Sequence, residues 1–173
     1  FRNRLSRIVI FHGMDEAMAG QITGKKLMKL QELLAALPPF CADFFRGIDP
    51  ATSSMTRLSY AYDISTFFDF LRKLKPELEK LSVENISLEQ LCAVTIQDLE
   101  RYLEYLKYRP DDPEHKNVNK EQGIKRKFFS LKSFFGYFYR TGQIKTNPTL
   151  SMQVPKIREK EIIRLNQDEI KTL

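Results

Sequence analysis

Residues 53–76 read SSMTRLSYAYDISTFFDFLRKLKP, and the spacing of their apolar side chains decides the fold. Tyr60, Ile64, Phe67, Leu71 and Leu74 follow at steps of four, three, four and three residues, the period that keeps side chains on one face of an α-helix. Ser53 or Ser54 is placed to cap its start, because a hydroxyl oxygen can accept from the orphan backbone N–H groups of a first turn. Pro76 ends it, lacking an N–H and crowding the preceding turn.

The same period recurs outward in both directions. Ile124, Phe128, Leu131, Phe135 and Phe138 predict a last long helix that starts near Asn119 and closes at Gly142, with Asn147-Pro148 stopping the chain from resuming helix at once. Upstream, Leu27, Leu30, Leu33, Leu34 and Leu37 predict a helix from Lys25 that breaks at Pro38-Pro39. Phe40 to Phe45 predicts a shorter one ending at Gly47, read as the residue just past the helix end. Thr95-Ile96-Gln97-Asp98 resembles a capping box with Asp in place of Glu, opening a helix that uses Leu99, Tyr102, Leu103 and Leu106. Pro110-Asp111-Asp112-Pro113 reads as a loop. With no alternating run long enough for paired strands, the expectation is an all-α, four- to five-helix bundle whose core is rich in the chain's 13 Phe.

Composition bounds the class. The 173 residues suit one compact domain with extensions, and 42% hydrophobic with 29% charged residues fits a soluble globular protein. No apolar run approaches the roughly 20 residues that span a bilayer. Ile8-Val9-Ile10-Phe11 is too short for a signal-peptide core, so a cytoplasmic location is expected, with no membrane partner. Cys41 and Cys92 sit among apolar neighbours without metal-type spacing and read as buried free thiols. His12 and His115 are isolated, so neither a metal nor a cofactor is expected.

Charge is unevenly spread. Residues 1–48 carry seven Lys/Arg against four Asp/Glu, residues 49–115 eight against thirteen, and residues 116–173 thirteen against five. A basic last third points to a polyanionic partner or to a solvated surface. On the last helix Lys125, Lys132 and Arg140 lie away from the apolar stripe and Arg126 flanks it. Lys145, Lys156, Arg158 and Lys160 follow, the last three in an extended Pro-containing stretch. A helix with one apolar and one cationic face, followed by a cationic strap, suits a nucleic-acid backbone, where each cation on a phosphate releases counterions. Basic amphipathic helices also bind partner proteins, so a helical interaction module with an acidic partner is the alternative reading.

Six strings then carry a resemblance. Thr56, Tyr60, Asp63-Ile64 and Phe67 resemble the T…Y..DL..F signature of the core-binding domain of tyrosine recombinases and phage-type integrases. Val94–Leu103 is similar to that family's next helix opening, and Lys125–Phe138 to its kr.ls.lrsFf.yl helix. Gly142–Pro148 resembles the g.i..NP exit, Val154-Pro155-Lys156 the linker, and Leu165–Ile170 the start of the catalytic domain. Each string is weak alone; six in order and spacing make a specific match.

The resemblance implies a SAM-like core-binding domain over residues 25–148, followed over 149–173 by an interdomain linker and the first helix of a catalytic domain. Phe1 to Gly24 reads either as a leader upstream of a start at Met14 or as an arm remnant. The family cuts and rejoins DNA at specific sites through a tyrosine joined covalently to the backbone, assisted by arginines, a lysine and histidines of the catalytic domain. No catalytic residue is therefore expected here: the parent protein is a recombinase, this chain is inactive alone, and its seven Tyr read as core or interface residues. The implied partner is double-stranded DNA, with self-association on DNA in the full-length protein. The core-binding domain would clamp the duplex, laying the Tyr60 helix and the last helix across the major groove. The DNA-contact candidates are Ser54, Thr56 and Arg57 at the start of the Tyr60 helix, Lys125, Arg126, Lys132 and Ser133 on the last helix, and Lys156 and Arg158 in the linker.

Overall fold

A computed structural model describes residues 24–108 and 121–154. Among them there is no strand, and five helical segments reach eight residues or more. These are α1 (24–35), α2 (Cys41–Ile48), α3 (Ser54–Leu74), α6 (Ile96–Tyr108) and α7 (Glu121–Arg140). Two short helices, α4 (Pro76–Glu79) and α5 (Leu88–Cys92), link α3 to α6. Three 3-10 turns, at Asp49–Ala51, Val83–Asn85 and Pro148–Ser151, complete the path.

The helix ends follow from local chemistry. Ser53, not Ser54, caps α3: its Oγ accepts from Thr56 N at 3.2 Å, while Ser54 is the first helical residue. Lys75 turns to extended backbone and Pro76 opens α4, where a missing N–H costs nothing. Thr95 and Asp98 form a reciprocal box at the head of α6, with Thr95 N donating to Asp98 Oδ2 (2.9 Å) and Asp98 N to Thr95 Oγ1 (3.2 Å). Ser87 and Gln90 do the same for α5, a helix of five residues that is too short to leave a periodic signal. Gly142 takes φ +71° just after α7, where Cβ-bearing residues are strained.

α3 and α7 form the spine. α7 packs on α2, α3 and α6, and α3 also contacts α4 and α6. The predicted stripes meet in the middle: Ile64, Phe67, Leu71, Leu99, Tyr102, Leu106, Leu131, Phe135 and Phe138 are all buried. The centre is a mesh of rings in edge-on contact. Phe134 meets Phe44 at 5.2 Å and Phe138 at 5.0 Å between centroids, and Phe67 meets Tyr102 at 5.2 Å.

Three expectations are corrected. Gly47 does not follow α2 but lies inside it; a Cβ there would collide with the Tyr137 ring, so glycine is required by close packing against α7. Cys92 is exposed at the end of α5, whereas Cys41 is buried and its thiol ionises only well above the usual range because burial disfavours the thiolate. Leu27 is exposed despite belonging to the leucine repeat of α1, where Leu30 and Leu37 do the packing. At Asn147-Pro148 the chain does not resume α-helix: Asn147 is extended and caps a short 3-10 turn by accepting from Thr149 N at 3.0 Å. The loop read at Pro110–Pro113 and the helix start near Asn119 lie outside the described residues, and α7 is helical from Glu121.

Candidate nucleic-acid interface

Three faces of α7 do different work. Ile124, Phe128, Leu131, Phe135 and Phe138 face the core. Arg126, Lys127 and Ser130 reach the buried carboxylate of Asp63 on α3. The third face carries Lys125, Phe129, Lys132, Gly136 and Arg140, at steps of four, three, four and four residues.

Asp63 is fully buried, yet its two oxygens are satisfied. Oδ1 takes Arg126 Nη2 at 2.9 Å and Lys127 Nζ at 3.1 Å, and Oδ2 accepts from the Ser130 hydroxyl at 2.6 Å. One carboxylate thus pins α3 to α7 beside the cationic face and holds two basic residues that composition counts as free charge.

The third face is open. α7 contains five Lys/Arg against one Asp/Glu. Among the described residues, Lys125, Lys132 and Arg140 have no ion-pair partner. Beside this face a groove of about 380 Å³ runs between α3, α7 and the turn at Pro148–Ser151. Two aromatic rings (Tyr60, Phe129), two cations (Lys132, Arg140) and two small polar side chains (Ser133, Asn147) line it, together with Gly136 and Leu150.

The sequence-derived candidates are distributed as follows. Lys132 and Ser133 line the groove, and Lys125 stands half-buried on the same face of α7. Arg126 is half exposed at its side chain but bound to Asp63. Ser54 and Thr56 are half-buried in the first turn of α3, with the Thr56 hydroxyl 3.0 Å from Ser53 Oγ. Arg57 has only 14% of its side chain exposed and pairs with Asp49. Lys156 and Arg158 lie outside the described residues. The structure adds Tyr60, Phe129, Gly136, Arg140 and Asn147 to the groove. Of these, the signals present in the chain were Arg140, set away from the apolar stripe, and a glycine inside a strong helical pattern at Gly136.

No protein-family model matches the chain, and no solved structure matches it. Two curated proteins do. The chain is 28% identical over 145 residues to "Tyrosine recombinase XerC" of Caldanaerobacter subterraneus subsp. tengcongensis, covering 79% of this chain and 39% of that protein. It is 28% identical over 123 residues to "Tyrosine recombinase XerD" of Rickettsia bellii, covering 71% of this chain and 33% of that protein. The fold is an all-α bundle, consistent with an all-α core-binding domain. The chain is related to the tyrosine recombinases, and it spans between a third and two fifths of the length of the relatives it matches. No described helix is long and apolar enough to cross a membrane.

Proposed function

We propose that residues 25–148 are the core-binding domain of a site-specific recombinase and clamp one face of duplex DNA, while cleavage and strand exchange belong to a catalytic domain of which residues 149–173 hold the linker and first helix. The observation that carries this is the open face of α7: Lys125, Lys132 and Arg140 unpaired among the described residues, turned away from the core and flanking a polar, aromatic-lined groove. Such a face suits phosphate and sugar, which take half to two-thirds of protein–DNA hydrogen bonds. Ser54 and Thr56 at the start of α3, and Lys156 and Arg158 beyond the last turn, extend the proposed contact. Arg57 and Arg126 contribute field rather than direct contacts, since each is already bound to a carboxylate. Association of further copies on one duplex is part of the proposal.

The test is binding to duplex DNA at two salt concentrations, with heparin as competitor. Affinity should be weak, modest in sequence preference, and should fall steeply with salt, because released counterions dominate such binding. Failure to bind any duplex at low salt would falsify the reading and favour an acidic protein partner. Bands of successively lower mobility at rising protein concentration would report the association of further copies.

A further inference from the structure

We propose that Arg140 and Lys132 grip one DNA backbone phosphate in the groove, and that Gly136 is the positioning residue that makes room for the Arg140 guanidinium. This rests on the DNA-binding reading above. A Cβ built on Gly136 would lie 3.2 Å from Arg140 Nη1, closer than an ordinary van der Waals contact. No other side chain comes within 4 Å of that point. One nitrogen of the exposed guanidinium therefore lies over the bare backbone one helical turn back, beside the groove.

The helix itself supplies no reason for this glycine. Gly136 lies inside α7, four residues before its last residue, and has no positive φ. Glycine there weakens the helix relative to alanine. Gly47 is explained by the Tyr137 ring and Gly142 by its φ, whereas the atom that a Cβ on Gly136 would meet is Arg140 Nη1.

The groove chemistry fits a phosphodiester. Arg140 presents a planar fork of N–H donors, Lys132 a second positive charge, and neither has a carboxylate partner among the described residues. Asn147 Oδ1 is occupied, accepting from Thr149 N at 3.0 Å and Thr149 Oγ1 at 2.7 Å, which leaves its two N–H donors for another acceptor. Ser133 adds a hydroxyl, and Tyr60 and Phe129 offer apolar surface to the adjoining sugar.

The experiment uses the whole 173-residue chain and a duplex oligonucleotide, with affinity and salt slope measured for R140A, K132A, G136A, G136L and the R140A/G136L double variant. Removing one phosphate contact should lower the salt slope by about 0.9. Affinity at low salt should fall on the order of tenfold for R140A and for G136L, and less for G136A, since a charged hydrogen bond of that strength is lost. The double variant should be no weaker than R140A alone, and no variant should melt below the parent. A purely structural glycine would instead lower melting and leave the salt slope unchanged. Additive losses in the double variant would overturn the positioning role of Gly136. If R140A bound like the parent while K132A did not, the phosphate grip would be wrong and the DNA-binding reading would survive. If the parent chain bound no duplex, both would fall together.

Discussion

Asp98 sits at the head of α6 with 8% of its surface exposed and serves two partners through one oxygen. Its Oδ2 accepts from Thr95 N at 2.9 Å and meets Lys75 Nζ at 3.0 Å, tying the new helix to the end of α3. Burial alone would push its carboxyl up, but the Thr95 backbone N–H, the Lys75 ammonium and the Thr95 hydroxyl outweigh it, so the group ionises below the usual Asp range. A carboxyl whose folded value is depressed stabilises fully above its unfolded value, about 4, and loses that contribution as pH falls through the folded value. Asp98→Asn should therefore cost about 1–2 kcal/mol at neutral pH, the scale of a lost cap. The gap between the melting curves of variant and parent should close as pH drops below about 4. A gap that persisted in acid would mean that packing, not charge, holds this corner. Gly47 belongs to the same scale: its missing Cβ is what lets α2 approach Tyr137.

At the scale of the element, α7 separates stability from surface chemistry along one helix. Phe135 is fully buried among Phe67 and Phe134, so Phe135→Ala leaves a cavity. Such truncations cost about 3–5 kcal/mol, a large share of the roughly 5–15 kcal/mol that holds a domain together. Melting should fall sharply. Asp63→Ala should also cost about 3 kcal/mol, because it strands Lys127, whose side chain is only 12% exposed, and leaves the Ser130 hydroxyl without its acceptor on α3. Chemical denaturation would show whether α3 and α7 still unfold together. A loss below about 1 kcal/mol would mean that Arg126 and Lys127 find water as readily as they found Asp63.

For the molecule as a whole, the open face of α7 predicts that binding and folding separate. Changing the half-buried Lys125 and the exposed Lys132 together to Ala should shift melting little, by about 0.5 kcal/mol equivalent or less at Lys132, as exposed substitutions usually do. The salt slope of DNA binding should shrink by up to about 0.9 for each lost contact. An unchanged slope would make this face a solvated surface. Incubation of the chain with duplex DNA should leave no denaturation-resistant protein–DNA band. Appearance of that band would put one of the exposed tyrosines, Tyr62, Tyr108 or Tyr139, back among the reactive groups.

How much of this was legible in the chain differs by the range of the interaction. The all-α class, the stripes of α3, α6 and α7, the Thr95–Asp98 box and the turn at Gly142 were readable, because each depends on residues within about one or two helical turns of each other. The order of six family motifs was readable for the same reason, being a property of spacing along the chain. Partners distant in sequence were not. Asp63 and Ser130 are 67 residues apart, and no local pattern tells that Arg126 and Lys127 are bound to a carboxylate while Lys132 and Arg140 are not. Gly47 looked like a helix stop because its reason, the Tyr137 ring, arrives from another helix. The short α5 left no period to read. Sequence by itself determined the helices and which face of each is apolar, since backbone hydrogen bonds and periodic burial are local. Only the tertiary structure decided which charges remain open and where the groove lies, since both depend on which helix faces come together.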